Sequence, residues 1–205
     1  MKSFFVAYVL MIITNLAYSQ RVDTIDYSYL KFNDVYSYYN DKGIDIVSAE
    51  NPDLYFEVFD WLATPYQWGG KSKKGVDCSG FVSFVYNKLE NIKLGGSAGD
   101  IYKKCDEVIP SELQEGDLLF FNINGHYLYH VGIYLQNGMF AHAAVHGGVI
   151  VSSMDEKYYQ RWFYKAGRVK TNNDISGSDK DERLRAKLKR IIHRKKDESA
   201  ADDAP

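Results

Sequence analysis

The chain has little cysteine, little net charge and few long apolar runs. Two cysteines in 205 residues, Cys78 and Cys105, allow one disulfide at most. A formal charge of −2 excludes the strongly basic balance of a dedicated nucleic-acid binder. The longest apolar run, ten residues from Phe4 to Ile13, is too short to cross a bilayer comfortably. No internal repeat is visible. What remains is a chain long enough for one ordinary domain with extensions, with 45% hydrophobic residues to build a core and 17 tyrosines suited to half-wet surfaces.

The N-terminus reads as a secretory signal. Lys2 precedes the apolar run, and Ala17 and Ser19 stand at −3 and −1 of a cut before Gln20. No cysteine follows the cut, so a lipid anchor at the new N-terminus is not available. Removal of residues 1–19 takes away one lysine and no acid, and the charge falls from −2 to −3. The expected destination is a periplasm or the cell exterior. An oxidising compartment makes a Cys78–Cys105 disulfide the simplest use of the two cysteines. Closing that loop would contribute roughly 3 kcal/mol, which a domain of this size does not need.

Residues 20–50 are polar and tyrosine-rich without a clear period, and are expected as an extension of short strand or loop pieces wrapping the domain. A helix is predicted from Asn51, with Asn51 as cap, Pro52 in the first turn, and Leu54, Tyr55, Val58, Phe59 and Leu62 on one face. A second begins near Cys78, burying Phe81, Val82, Val85 and Leu89. A short helix is expected to carry Cys105. Strand-like runs follow at 116–122, 130–136, 139–145, 148–154 and 164–169, separated by glycine and asparagine. Helices first and an antiparallel meander after is an α+β order. Beyond Lys170 the composition turns linker-like. Residues 183–196 then hold eight Lys or Arg and a narrow apolar stripe, a candidate basic amphipathic helix for weak contact with an anionic surface, set in a charged, largely disordered tail.

The chemistry centres on "GVDCSGFVSFVY", residues 75–86. Asp77 is a good N-cap, which puts Cys78 in the first helical turn, where unpaired N–H groups favour a thiolate and can stabilise an oxyanion. Asp77 itself opposes the thiolate. An imidazole must come from another element. In "HVGIYLQNGMFAHAA" a two-residue Asn-Gly turn sends His130 and His142 to opposite faces. A three-residue turn, Gln136 to Gly138, instead pairs Leu135 with Met139 and Gly132 with His142. That register collects Val131, Ile133, Leu135, Met139, Ala141 and Ala143 on one apolar face and both histidines on the other, as diagonal neighbours. One imidazole can then take the thiol proton while the second orients the first. The same histidines, with His126, His146, a cysteine or Asp117, are also compatible with a zinc site, although four-residue spacing along strands is a poor ligand pattern.

At these residues the chain resembles the NlpC family of bacterial cell-wall cysteine peptidases, which have a papain-like fold. Six blocks carry the likeness in order: "PYQWGG", "GVDCSGFV", "LQEGDLLFF", "HVGIYL", "GMFAHA" and "YKAGRV", over residues 51–169. The resemblance implies N-terminal helices packed on a central antiparallel β-sheet and a catalytic triad, with Cys78 as nucleophile, His130 as general base and His142 as orienting residue. It implies that Tyr66 lines the site, and that Asp77 and Ser79 hold the substrate's free amino terminus. The implied substrates are peptidoglycan stem peptides, often cut between γ-D-glutamate and a diamino acid, with no cofactor and no metal. Residues 20–50 are too few for the separate SH3-like wall-binding module that many members carry. A monomer is expected. The competing readings are a hydrolase of the same machinery acting on another amide or ester, and a non-catalytic wall-binding module.

Overall fold

The computed structural model describes residues 27–122 and 127–170. The signal-like segment 1–19, the cut before Gln20, the basic stretch 183–196, His126 and His193 lie outside the described residues. Among the described residues no helix is long and apolar enough to cross a membrane.

Two compact units divide between Asp34 and Val35. Of the first, only the opening of helix α1 (Tyr27–Asn40) is described. The second begins in the same helix. Here residues expected as strand or loop are helical: within the second unit Val35 and Tyr39, one turn apart, are buried, and Tyr39 donates to the Tyr55 carbonyl at 3.0 Å. Tyrosine carries a polar tip on an apolar ring, so such a stripe is hard to see in sequence. Ile44 and Ile46 follow as core residues, so the segment before residue 51 supplies part of this unit's interior.

Helix α2 (Pro52–Trp61) has proline in its first turn, as expected, and buries Leu54, Tyr55, Val58 and Trp61. Asn51 holds the N-cap position without a side-chain bond; its backbone N–H instead donates to Glu115 Oε2 at 3.0 Å. A two-stranded ribbon, β1 (Lys71–Ser72) and β2 (Gly75–Val76), leads into helix α3 (Cys78–Glu90). Phe81, Val82 and Val85 are the buried apolar face of α3 beyond its first turn. Helix α4 (Ala98–Tyr102) starts with a capping box between Ser97 and Asp100. It ends before Cys105, which lies instead in strand β3 (Cys105–Val108). Cys105 and Val108 are half-buried, Asp106 and Glu107 between them are exposed and charged, and β3 is an edge strand of the sheet.

Strands β4 (Leu118–Phe121), β5 (His130–Tyr134), β6 (Met139–Ala144), β7 (Gly148–Ser153) and β8 (Phe163–Val169) complete a six-stranded antiparallel sheet of order β3-β8-β4-β5-β6-β7. A helix absent from the sequence reading, α5 (Lys157–Trp162), joins β7 to β8. Helix α3 packs against β5 and β6. The second unit is an α+β fold, with α2, α3 and α4 ahead of a central antiparallel sheet and α5 inserted before its last strand. Asp117, just before β4, is buried and gripped by Arg168 of β8 through Nε and Nη2, both at 2.8 Å.

Candidate active site

Cys78 opens α3, and its placement is local. Asp77 caps the helix by accepting from Gly80 N–H at 2.6 Å, and its other oxygen accepts from Gly69 N–H at 2.9 Å. Gly80 lets the helix start close to the preceding loop: a Cβ there would meet the Gly70 carbonyl oxygen at 2.6 Å. Cys78 is 7% exposed. Its thiol donates to the Tyr129 carbonyl at 3.7 Å, and the Val131 N–H points at the sulfur. The sulfur therefore sits against the peptide groups on either side of His130. Cys78 and Cys105 are both free, so the disulfide reading does not hold.

The histidine pair follows the register read from apolar sorting. Ile133 pairs with Ala141 and Tyr134 with Phe140, so Gly132 falls opposite His142. Val131, Ile133, Leu135, Ala141 and Ala143 are fully buried. On the other face His130 Nε2 lies 2.8 Å from His142 Nδ1. Phe140 stacks on the His142 ring at 4.8 Å, and Phe121 lies 5.8 Å from His130. The remaining nitrogen of His142, Nε2, meets two hydroxyls, Ser152 Oγ and Tyr159 Oη, each at 3.1 Å. Ser152 and Tyr159 were not singled out in the sequence. Ser152 becomes readable once the β6–β7 register is known, since it pairs with Phe140; Tyr159 sits on α5, which has no capping bond and no buried stripe to announce it.

The electrostatics correct one expectation. The amide groups of Cys78 and Ser79 at the mouth of α3, and that of Val131, do favour the thiolate, and Asp77 opposes it. Burial outweighs all of these and pushes the Cys78 thiol up to about 11. Burial likewise holds His130 down to about 4 and, together with His130, His142 down to about 2. Burial thus favours the uncharged form of all three groups, a neutral thiol with neutral imidazoles, over a thiolate–imidazolium pair.

Tyr66 is half-buried, and its hydroxyl pKa is raised first by that burial and then by the nearness of Cys78 and Asp77. It lines a groove of about 680 Å³ with Trp68, Tyr129, His130, His142, Tyr158 and Tyr159. Trp68 is 80% exposed at this groove. His146 also borders it, from the exposed turn between β6 and β7. Ser79 donates to Asp77 Oδ1 at 2.9 Å. Among the described residues no three His, Cys, Asp or Glu side chains converge as metal ligands, and Asp117 is already held by Arg168.

The structure thus brings a cysteine at a helix mouth and two bonded imidazoles to one end of an antiparallel sheet in a papain-like α+β fold. The sequence profile of the NlpC/P60 family matches residues 63–168, and the chain belongs to that family. It is 37% identical over 110 residues to the probable endopeptidase NlpC homolog of Haemophilus influenzae, a match covering 54% of this chain and 58% of that one. It is 40% identical over 110 residues to the murein DD-endopeptidase MepS/murein LD-carboxypeptidase of Escherichia coli K12, with the same coverage of 54% and 58%. The likeness thus spans less than two thirds of either relative. Among solved structures, the NlpC/p60 domain of the peptidoglycan hydrolase SagA aligns at 32% identity with a TM-score of 0.50, covering 57% of this chain and 96% of that domain. An NLP/P60-family lipoprotein-like protein of Staphylococcus aureus aligns at 35% identity and a TM-score of 0.52, covering 58% and 41%.

Proposed function

We propose that this protein is an exported cysteine endopeptidase of peptidoglycan stem peptides, acting through Cys78, His130 and His142. The observation that carries the reading is the bonded pair of His130 on β5 and His142 on β6, with the Cys78 sulfur seated on the backbone beside His130. The names of the E. coli relative, a murein endopeptidase, and of SagA, a peptidoglycan hydrolase, support the substrate class.

The neutral resting pair shapes the chemistry. His130 takes the thiol proton as sulfur bonds to the scissile carbonyl carbon. The amides at the mouth of α3 receive the oxyanion. His130 then gives its proton to the leaving amine as the C–N bond breaks, leaving a thioester. Water attacks that thioester, His130 takes its proton, and the acid product leaves as the thiol is restored. His142 orients His130 throughout, and Tyr66 lines the reacting position. Export rests on the leader-like residues 1–19, and N-terminal sequencing of the protein recovered outside the cytoplasm should begin at Gln20.

Two bonds compete. A γ-D-glutamyl–diamino acid bond next to a free amine uses Asp77 and Ser79 as the amine's holders. A bond between two D-configured residues is favoured by the name of the E. coli relative and by Asp77 itself, whose oxygens already accept from Gly80, Ser79 and Gly69. Mass spectrometry of purified peptidoglycan after digestion separates them: new γ-D-glutamyl ends support the first, conversion of cross-linked to monomeric stems the second. Digestion by Cys78→Ala, or no digestion by the wild type, overturns the endopeptidase reading.

A further inference from the structure

The histidine pair can act as a base in only one of its proton arrangements. His130 Nε2 is committed to His142 Nδ1 at 2.8 Å, so on the catalytic reading Nδ1 is the ring nitrogen of His130 left to take the thiol proton. For Nδ1 to accept a proton, the ring proton of neutral His130 must sit on Nε2 and donate to His142 Nδ1. His142 must then carry its own proton on Nε2, and that N–H needs an acceptor. In the opposite arrangement a hydroxyl donates to His142 Nε2, His142 Nδ1–H donates to His130, and the proton on His130 Nδ1 blocks the thiol. Whatever faces His142 Nε2 therefore decides whether His130 is a base.

Two hydroxyls face it. Ser152 Oγ and Tyr159 Oη are each 3.1 Å from Nε2, and Ser152 donates to Tyr159 at 3.3 Å. His142 is 1% exposed and Ser152 6% exposed, so bulk water does not substitute for them. Because the Ser152 proton goes to Tyr159, its oxygen lone pairs are left for the His142 N–H. Tyr159 borders the groove, so its own proton can turn toward solvent instead of His142. A charged or amide N–H donor here would impose the wrong arrangement. A hydroxyl pair can accept, and continues to accept when His130 becomes an imidazolium whose Nε2–H must donate.

We infer that Ser152 and Tyr159 are positioning residues: they accept the Nε2–H of His142 and thereby keep the lone pair of His130 on Nδ1. This deepens the catalytic reading of Cys78, His130 and His142 and rests on it for its kinetic consequence, while the proton arrangement itself is observable without any turnover. The test is nitrogen-15 NMR of the histidine rings in the full chain, with turnover of purified peptidoglycan alongside. The wild type should show both His130 and His142 protonated at Nε2. Ser152→Ala and Tyr159→Phe each leave one acceptor and should lose only a few-fold in kcat. The double variant should lose about tenfold or more beyond the product of the singles, with KM little changed and the His142 proton redistributed to Nδ1. A His130 proton on Nδ1 in the wild type overturns the proposal, as does a double variant that keeps both kcat and the ring protonation. If the double variant does not fold, the wild-type spectrum and the two singles still decide it. A wild type without turnover but with both rings protonated at Nε2 would retain the arrangement and sink the catalytic reading instead.

Discussion

His130 Nε2 and His142 Nδ1 stand 2.8 Å apart on neighbouring strands, and a single irregularity in the hairpin between them makes this contact available. Asn137 and Gly138 both take positive φ, 53° and 75°, as the centre of a primed Asn-Gly turn requires. Met139 N–H closes that turn on the Gln136 carbonyl at 2.8 Å, while Leu135 N–H bonds Met139 O at 2.9 Å. Leu135 and Gln136 thus both face Met139, which is a β-bulge. The preference of Asn-Gly for a tight turn and the sorting of apolar residues to one face are both met, because the bulge shifts the register by one residue. Without it, His130 and His142 would point to opposite faces.

Gly132 is part of the same arrangement. A Cβ at this position would lie 2.7 Å from Phe140 Cδ2 and 3.2 Å from His142 Cβ. Gly132→Ala should therefore push the Phe140–His142 stack away from His130. The expected outcome is a stability loss of about 1–3 kcal/mol in urea unfolding, as for other overpacked interiors, together with a drop in kcat on the order of tenfold or more from a displaced base. Unfolding curves and turnover measured at a temperature where the variant is fully folded separate the two. Unchanged turnover would show that the pair tolerates movement.

The neutral resting site predicts its own pH behaviour. Burial places Cys78 at about 11 and His130 at about 4. Below about 4 His130 is protonated and cannot accept the thiol proton; above about 11 that proton is already lost to solvent, and His130 has none to give the leaving amine. The kcat/KM profile should rise through about pH 4, stay broad, and fall only near 11. Iodoacetamide alkylation, followed in a Cys105→Ser background, should be slower at pH 7 than for a free thiol and rise about tenfold per pH unit toward 11. An alkylation rate already on its plateau at pH 6 would mean a thiolate ion pair and contradict the burial argument.

What could be read in the sequence was what rests on short-range rules. Asp77 as cap, Cys78 at the helix mouth and the β5–β6 register each follow from a capping preference or a period-two pattern, and each is where it was expected. The misses have physical reasons. In α1 the buried positions include a tyrosine, whose polar tip disguises the stripe. Cys105 follows a well-capped helix so short that its end, rather than its start, decides where the cysteine falls. Sequence shows the helix dipole that favours a thiolate and not the depth of burial that opposes it at Cys78. Ser152 and Tyr159 reach His142 only through β7 and α5, two elements further along the chain.

Arg168 and Asp117 test whether the sheet's support can be separated from its chemistry. The Asp117 side chain is 2% exposed and accepts from Arg168 Nε and Nη2 and from Gln114 N–H, all at 2.8 Å. Arg168→Ala leaves a buried carboxylate without its cation, which costs about 3 kcal/mol in comparable cases. A thermal midpoint lower by roughly 10 °C is expected. The pair lies away from the groove-lining residues, so kcat at a temperature where the variant is folded should be near that of the wild type. A midpoint within a degree or two of the wild type would show that Gln114 and water suffice for Asp117.

Asp77 discriminates between its two roles by the pattern of loss across substrates. As helix cap, it fixes the first turn of α3 and with it the sulfur and the amides proposed to receive the oxyanion. Asp77→Ala should then cost about 1 kcal/mol of stability and slow every substrate by the same factor, on the order of tenfold, through misplacement of Cys78. As amine holder, Asp77 contributes only where the substrate presents an ammonium, so loss would be confined to stem peptides with a free amino terminus, and acetylating that terminus would reproduce it in the wild type. The bonds that Asp77 already makes to Gly80, Ser79 and Gly69 predict the first pattern. Measuring kcat/KM for one free and one acetylated stem peptide, with wild type and Asp77→Ala, gives the four rates needed. Equal slowing on both peptides assigns the carboxylate to the helix; slowing on the free amine alone assigns it to the substrate and restores the γ-D-glutamyl bond as the target.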